Sequence, residues 1–261
     1  MMFPISGKVA LITGGSEGIG AAIAKELLRA GLKGVTILGR SADKGTRMVE
    51  ELTKEFGKGK AIFIRADVST KEEIEEAFKK TVEIFNNIDI VVNNAVTLTK
   101  DWDRYITANL TGTIAGTMLA YETYLPKYAS DNKGVIIIMS SQSGLYGEPS
   151  APLYAASKSG GIALTISMGS EYHYNRTGIK VIAVCPGYTD TPGVGVGEGN
   201  FEGRAYYEAF LELIKDQPTP QPASAVGKAV VTIIKEARSG SIWMVHDSQS
   251  PYEVKMEVVK V

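Results

Sequence analysis

The chain is poor in the residues that build disulfides and metal centres. Its 261 residues include one cysteine, Cys185, and two histidines, His173 and His246. A lone cysteine forms no internal disulfide, and so few thiols and imidazoles speak against a zinc site of the usual Cys/His kind. We therefore expect no bound metal, and the cysteine content fits a reducing compartment, which we take to be the cytoplasm.

A strong charge of either sign and any long apolar run are also lacking. Lysine and arginine number 28 together and aspartate and glutamate 29, which leaves a formal net charge of -1. Nucleic acids and anionic membrane surfaces attract basic patches, so neither is expected as a partner. No run approaches the ~20 apolar residues of a membrane span, and the first one, 9–12, is too short for the core of a signal peptide.

Short β-branched apolar runs, in contrast, alternate with longer helical stretches along the whole chain. This alternation predicts an α/β fold, a doubly wound parallel sheet with helices on both faces. No linker divides residues 1–261, so we expect one domain, with a cofactor half over about 1–133 and a catalytic and substrate half over about 134–261. The predicted strands are 9–13, 35–38, 61–65, 88–92, 134–139, 179–185 and 241–245, and the predicted helices 19–30, 44–56, 71–85, 103–124, 154–174 and 224–237.

The stretch 187–222 breaks this alternation. It has five glycines between Gly187 and Gly199 and a Pro-Thr-Pro-Gln-Pro end. A long irregular segment in a compact domain is usually a lid or a binding loop, so we expect a substrate loop here, with disorder as the alternative.

A glycine-rich turn follows the first predicted strand and opens the first predicted helix. Its glycines Gly14, Gly18 and Gly20 allow a tight turn, approach of backbone amides to a pyrophosphate, and close packing of helix on strand. A turn without a ligand is the alternative, but the strand–turn–helix context favours a dinucleotide. The expected cofactor contacts here are Thr13, Gly14, Ser16, Gly18, Ile19 and Gly20.

Thr-Gly-x-x-x-Gly-Ile-Gly at this place resembles the short-chain dehydrogenase/reductase family, whose matching segments follow in order along nearly the whole chain. Asp67-Val68 resembles the family's adenine contact, and Asn93-Asn94-Ala95 resembles its Asn-Asn-Ala-Gly. The resemblance implies a Rossmann-type fold and a cofactor site for NAD or NADP that includes Asp67, Val68, Asn94 and Ala95. Val96 replaces the family's glycine and is expected to narrow the space beside the nicotinamide.

The choice between NADP and NAD depends on the end of the second strand. An acidic residue about 20 positions beyond the glycine turn binds the ribose diol of NAD and repels the 2′-phosphate of NADP. Gly39 followed by Arg40 stands there, which favours NADP. Glu17 in the glycine turn and the nearby Asp43 argue for NAD, and a solvated surface charge is the alternative for Arg40.

Tyr154-Ala-Ala-Ser-Lys158 is the strongest chemical signal, because a tyrosine and a lysine four positions apart project from one helix face. A phenol needs its pKa lowered by about 3 units to act near neutrality. The lysine ammonium and an oxidised nicotinamide would both favour the phenolate. An ordinary amphipathic surface is the alternative for such a pair.

The family resemblance assigns partners to this pair. It implies that a serine just after the fifth strand, Ser141 by spacing rather than Ser140, donates to the substrate oxygen. It implies that Asn109 supports Lys158 through a water. Serines that merely end a strand are the alternative.

Pro186-Gly187 after the sixth strand resembles the family's segment for the nicotinamide carboxamide. The resemblance implies contacts from Pro186 and Gly187, and from Thr191 or the second candidate Thr189. A simple turn is the alternative for the Pro-Gly pair.

Finer likenesses link the chain to the insect-type alcohol dehydrogenase and 15-hydroxyprostaglandin dehydrogenase-like branch. They lie in Ser241-Ile-Trp243-Met-Val, in 218–222 and in 32–38. That branch has Asp where Gly39 stands and uses NAD. Its prostaglandin enzymes carry Gln where Ala151 stands, so neither trait transfers directly.

A set of mostly apolar residues around these motifs forms a candidate substrate wall, with core packing as the alternative. We expect a lipid-like, terpenoid or steroid alcohol or carbonyl. The wall candidates are Val96, Ser141, Leu145, Tyr146, Tyr188 and parts of 193–210, including Val194, Val196 and Phe201.

Together these signals predict an NAD(P)-dependent oxidoreductase that interconverts a secondary alcohol and a ketone or aldehyde by hydride transfer. A cofactor-binding sensor or interaction protein with vestigial chemistry is the alternative. The family resemblance also implies a homodimer or homotetramer, paired through the helices that contain Asn109 and Tyr154.

Overall fold

Eight strands form one sheet with helices on both faces, which confirms the predicted doubly wound fold. The computed structural model describes residues 2–192, 197–198, 201, 203–215 and 219–256. The expected wall residues Val194 and Val196 and the residue Pro218 lie outside these ranges. None of the helices in the described ranges is long and apolar enough to cross a membrane.

Strands and helices alternate without interruption in the first part of the chain, as its apolar periodicity predicts. Ser41 accepts a hydrogen bond from the backbone of Lys44 and starts the second helix, and Asn86, in the left-handed region, ends the third. The elements are β1 (Val9–Thr13), α1 (Gly18–Arg29), β2 (Gly34–Gly39), α2 (Ala42–Phe56), β3 (Ala61–Arg65), α3 (Lys71–Phe85) and β4 (Ile90–Asn93).

A long helical rod over 102–128 follows, where the sequence predicts a helix over 103–124. It consists of α-helical stretches joined by two π-helical turns, a distortion that is frequent at functional sites. The α-helical stretches are α4 (Trp102–Ile106), α5 (Gly112–Met118) and α6 (Leu125–Tyr128), and the π-helical turns are Thr107–Thr111 and Leu119–Tyr124.

Two features of the second part differ from the sequence expectation. The helix predicted over 154–174 is two helices, because Gly169 packs against the backbone of Gly240 and Ser170 is extended. The stretch 187–222 contains a helix and two short paired strands rather than irregular chain alone. The elements are β5 (Gly134–Met139), α7 (Ser143–Tyr146), α8 (Pro152–Met168), α9 (Glu171–Thr177), β6 (Ile179–Pro186), β7 (Thr189–Asp190), α10 (Arg204–Lys215), β8 (Gln221–Pro222), α11 (Ala223–Glu236), β9 (Ile242–Val245) and β10 (Tyr252–Glu253).

The strand order is β10-β9-β6-β5-β4-β1-β2-β3, and every neighbouring pair is parallel except β10 with β9. The central strands are fully buried, with helices α1, α2 and α11 packed on one face and α3 and the rod on the other. The order reverses between β1 and β4, which opens a crevice at the carboxyl ends of these strands.

Candidate functional site

A cavity of about 910 Å³, called the large cavity below, occupies this crevice. Its wall is built from the segments that follow strands β1 to β6 and from helix α8. Crevices of this kind are where open α/β sheets bind ligands. Of the expected cofactor contacts, the wall includes Gly14, Ser16, Gly18, Ile19, Gly39, Arg40, Asp67, Val68, Asn94, Ala95, Tyr154, Lys158, Pro186 and Thr191.

The glycine turn has the shape that a phosphate group requires. Gly14 and Gly18 have positive φ angles of 64° and 57°, and a side chain at Gly20 would overlap the carbonyl oxygen of Gly14. Glu17 precedes α1 without capping it by its side chain. The first amides of the helix therefore remain available to an anion, and the turn fits the pyrophosphate of a dinucleotide.

Thr13 and Asn94 join the ends of β1 and β4. The Thr13 hydroxyl, which is buried beneath the turn, accepts hydrogen bonds from the backbone of Asn94 at 2.9 Å and of Ala95 at 3.0 Å. The Asn94 amide donates to the carbonyls of Thr13 at 3.0 Å and Gly14 at 3.1 Å. These bonds hold the ends of β1 and β4 together. Thr13 and Gly20 therefore do not line the large cavity but support the residues that do.

One end of the large cavity carries basic side chains and no acidic group at the end of β2. Gly39 ends the strand, and Arg40 and Lys44 both lie on the wall. Lys44, which the sequence reading did not single out, forms an ion pair with Glu17 at 2.8 Å. Arg40 is exposed on the same rim.

Asp67 is held by its neighbours at the end of β3. Its carboxylate accepts from the backbone and hydroxyl of Ser69 at 3.0 and 2.6 Å and from the Arg104 guanidinium at 2.8 Å. Burial alone would raise the pKa of Asp67, but the bonds from Ser69 and Arg104 outweigh it and hold that pKa below its usual value. Asp67 is therefore a fixed anion on the cavity wall.

Ser141, Tyr154 and Lys158 come together where β5 ends against α8. Ser141 and Tyr154 both line the small cavity described below, and the Lys158 ammonium lies 5.5 Å from the centre of the Tyr154 ring. Lys158 donates to the Met139 carbonyl at 2.7 Å. The Ser140 hydroxyl donates to the Lys158 carbonyl at 2.9 Å, whereas the Ser141 side chain acts on the pKa of Tyr154.

Burial dominates the electrostatics of this group. It raises the pKa of Tyr154; Ser141 opposes this shift, and the negative charge of Glu148 adds to it. Burial lowers the pKa of Lys158 to about 8. The protein groups thus shift the Tyr154 pKa in the direction opposite to the expected one. The expected lowering needs the positive charge of an oxidised nicotinamide in addition to Lys158.

Asn109 lies on the first π-helical turn and is almost fully buried. Its side-chain oxygen accepts from the Thr97 amide at 2.7 Å, and its side-chain nitrogen donates to the Thr97 carbonyl at 2.9 Å. Thr97 belongs to the wall of the large cavity. Asn109 therefore fixes the loop after β4 directly, and no hydrogen bond joins its side chain to Lys158 among the described residues.

The segment after β6 contains Thr189 and Thr191, the two candidates for the nicotinamide contact, and it places them in different surroundings. Thr189 is buried, donates to the Gly187 carbonyl at 2.8 Å and accepts from Gln221 at 3.2 Å. Thr191 faces the glycine turn, with 3.4 Å between its Cβ and the place of a Cβ at Gly18. Thr191 thus lies on the large cavity, whereas Gly187 and Thr189 do not.

A second, small cavity of about 270 Å³ adjoins the large one. The expected substrate residues Val96, Ser141 and Tyr188 line it. Leu145 instead packs on a buried cluster around Ile162, and Tyr146 is 75% exposed and lies outside the wall. Phe201, also expected, is on the wall.

Apart from Phe210, which ends the expected wall segment 193–210, several residues of the small cavity were missed by the sequence reading. Phe210, Leu213 and Ile214 of α10 provide one wall, and Glu148 before α8 provides a carboxylate. The spacing of three and four between the α10 residues is a helical signal, but the surrounding glycines and prolines concealed it. Nothing in the local sequence marks Glu148.

The chain is similar to several known proteins. The family model described as short chain dehydrogenase matches residues 8–196. The chain is 32% identical to the 15-hydroxyprostaglandin dehydrogenase [NAD(+)] of Bos taurus, over 97% of this chain and 99% of that protein. It is 29% identical to Fat body protein 2 of Drosophila melanogaster, over 95% of each chain.

A solved structure is similar as well. The crystal structure of a dehydrogenase/reductase from Sinorhizobium meliloti 1021 superposes with a TM-score of 0.76 at 27% identity. The match covers 94% of this chain and 96% of that one, so the likeness extends over the whole fold.

Proposed function

Because the chain belongs to the short-chain dehydrogenase family, we propose that it interconverts a secondary alcohol and a ketone or aldehyde with NADP or NAD. One observation carries the proposal: Tyr154 lies on the walls of both cavities, with Ser141 on the wall of the small one and Lys158 nearby. A proton donor shared by a cofactor-sized and a substrate-sized cavity is what carbonyl reduction requires.

Each group of the site has a role in this proposal. When bound, the nicotinamide supplies or accepts the hydride. In the reductive direction Tyr154 donates its proton to the substrate oxygen, to which Ser141 also donates a hydrogen bond. Lys158 stabilises the resulting phenolate by its charge. Asn109 positions the wall of the large cavity through Thr97.

We further propose a preference for NADP. Gly39 leaves no carboxylate to repel a 2′-phosphate, and Arg40 is a permanent cation on the same rim. The similar 15-hydroxyprostaglandin dehydrogenases are named as NAD(+) enzymes. This chain would therefore differ from them in its cofactor.

The apolar wall of the small cavity supports a lipid-like, terpenoid or steroid substrate. Val96, Leu98, Phe201 and the three α10 residues all present hydrocarbon to it. Burial of such a substrate is favourable at ~25 cal/mol per Å² of apolar surface.

The test is cofactor oxidation by the purified protein with NADPH and NADH in parallel, over a panel of apolar ketones and aldehydes. Tyr154→Phe should reduce turnover by about 10²–10⁴-fold, the usual contribution of a positioned acid. Its cofactor affinity should stay unchanged. Tyr146→Phe is the matched control, because Tyr146 is 75% exposed. Cofactor binding without turnover of any carbonyl would instead support the sensor alternative.

We also propose self-association as a homodimer or homotetramer through the rod and α8. The exposed apolar residues Ile114 and Ile166 on these elements support it, being 37% and 44% exposed. Light scattering of the wild-type chain and of Ile166→Glu tests this, and a monomeric wild type would refute it.

A further inference from the structure

The small cavity holds one carboxylate in an otherwise uncharged wall. Among the described residues that line it, Glu148 alone carries a formal charge, and the lining includes no lysine, arginine or histidine. Most of the remaining side chains are apolar or carry hydroxyl groups. A carboxylate in such surroundings has lost part of its hydration and gains from any partner that donates a hydrogen bond.

The carboxylate is held in place on one side only. Its Oε1 accepts from the Ser150 amide at 3.3 Å and from the Ser150 hydroxyl at 2.9 Å. Ser150 is itself 2% exposed, so this anchor is fixed in the fold. Oε2 has no hydrogen-bond partner in the part of the chain that the structure describes, and no cation there pairs with Glu148.

Glu148 is also close enough to the reacting end of the cavity to influence it. Glu148 and Tyr154 both line the small cavity, so the carboxylate and the phenol share one chamber. Consistent with this, the negative charge of Glu148 adds to the raised pKa of Tyr154, to which burial contributes most.

We propose that Glu148 selects substrates that carry a hydrogen-bond donor, a protonated amine or a hydroxyl, in addition to the reacting oxygen at Tyr154. This inference rests on the proposed function and narrows its substrate class. The donor occupies the open side of the carboxylate while the hydrocarbon part lies against α10. An acidic substrate is repelled, and a purely hydrocarbon one removes water from Glu148 without replacing its hydrogen bonds.

The experiment compares methyl ketones of equal length that end in an ammonium, a hydroxyl, a methyl or a carboxylate group, each in several chain lengths. Binding to the protein with saturating cofactor is measured by calorimetry, and KM and kcat are measured alongside. The wild type should bind the donor-bearing ketone of best length about 10–100 times more tightly than its methyl analogue, as expected for a hydrogen bond to a charged group. The carboxylate analogue should bind most weakly.

Glu148→Gln keeps an oxygen for Ser150 and removes the charge. It should abolish most of the preference for the ammonium ketone and restore binding of the carboxylate ketone. Binding is the decisive readout for this variant, because removing the Glu148 charge also acts on the pKa of Tyr154 and thereby on kcat for every ketone. Glu83→Gln, on the exposed face of α3, is the control and should leave all preferences intact.

The inference is overturned if the wild type binds all four end groups equally, or if Glu148→Gln weakens all four alike. Calorimetry answers this even where no ketone is turned over. Failure of the proposed function gives a different result. In that case the ketones bind, but none of them is turned over in a reaction that Tyr154→Phe abolishes.

Discussion

Glu17 and Lys44 form an ion pair across the rim of the large cavity, with the ammonium 2.8 Å from both carboxylate oxygens. Glu17 precedes α1, and Lys44 lies in the first turns of α2, near Arg40. The pair places a cation at the end of the cavity to which the NADP proposal assigns the 2′-phosphate, and the carboxylate of Glu17 neutralises that cation. The acidic residue in the glycine turn thus acts on the cofactor end through Lys44.

Release of Lys44 should therefore strengthen the preference for NADPH. Glu17→Gln should raise the affinity for NADPH about two- to fivefold, the range expected for a half-exposed charge pair, and leave NADH unchanged. Fluorescence titration at low and high salt measures both affinities, and the gain should shrink with salt. Glu51→Gln breaks a comparable pair with Lys25, at 3.0 Å and away from the cavity, and should have no effect. Equal changes for both cofactors would contradict the assignment.

An acidic residue at the end of β2 should reverse the preference. Gly39→Asp adds a carboxylate beside Ser16, whose hydroxyl would lie 3.3 Å from the new Cβ and can rotate away. We expect the NADPH/NADH ratio of kcat/KM to fall by about tenfold or more, since the carboxylate repels the phosphate and binds the ribose diol. Gly39→Asn, of similar size and uncharged, is the control. An unchanged ratio would mean that this position does not contact the cofactor.

The fold was predictable because its signals are local. The buried parallel strands are continuous apolar runs, and α3 and β5 have the predicted bounds, Lys71–Phe85 and Gly134–Met139. The order of motifs along the chain also brought Ser141 and Tyr154 together on the wall of the small cavity, while their catalytic roles stay predictions.

What escaped prediction depends on tertiary neighbours. Arg104 reaches Asp67 from 37 positions away, and Lys44 reaches Glu17 from 27. The edge strand β10 pairs over only two residues, Tyr252–Glu253, too few to give a periodic signal. The same holds for Glu148, whose importance lies in the cavity it faces.

Burial of Lys158 should make the stability of the free protein depend on pH. Its pKa falls from an ordinary 10.5 to about 8, so between these values the unfolded chain binds more protons than the folded one. The free energy of unfolding therefore rises as the pH rises from about 8 toward 10.5. The same contribution is lost as the pH falls back through about 8. Relative to Lys158→Met, the wild type should gain about 1–2 kcal/mol between about pH 7 and about pH 9.5.

Urea unfolding of both proteins at the two pH values measures this gain. The raised pKa of Tyr154 acts in the opposite sense only above its ordinary value of 10.0, outside that window. A difference that does not change with pH would show that Lys158 keeps its ordinary pKa in the fold.

Asp89 directly precedes the central strand β4, at the amino ends of the strands and thus opposite the cavities. It should contribute strongly to the free energy of unfolding. Its fully buried carboxylate accepts from the Val9 amide at 2.8 Å, the Asn87 side chain at 2.6 Å and the Ser130 amide at 2.6 Å. The Lys8 ammonium lies 3.5 Å away. Asp89→Asn turns one acceptor into a donor that faces other donors, and it should lower the free energy of unfolding by about 3–5 kcal/mol.

Asp131 offers a matched control for this prediction. It pairs with the same Lys8 at 3.1 Å, but its side chain is 77% exposed. Asp131→Asn should therefore change the free energy of unfolding by less than about 1 kcal/mol, and asparagine also tolerates the positive φ of 59° at this position. Urea unfolding distinguishes the two variants. Similar losses from both would mean that the Lys8 charge, rather than the buried hydrogen bonds of Asp89, holds this end of the sheet together.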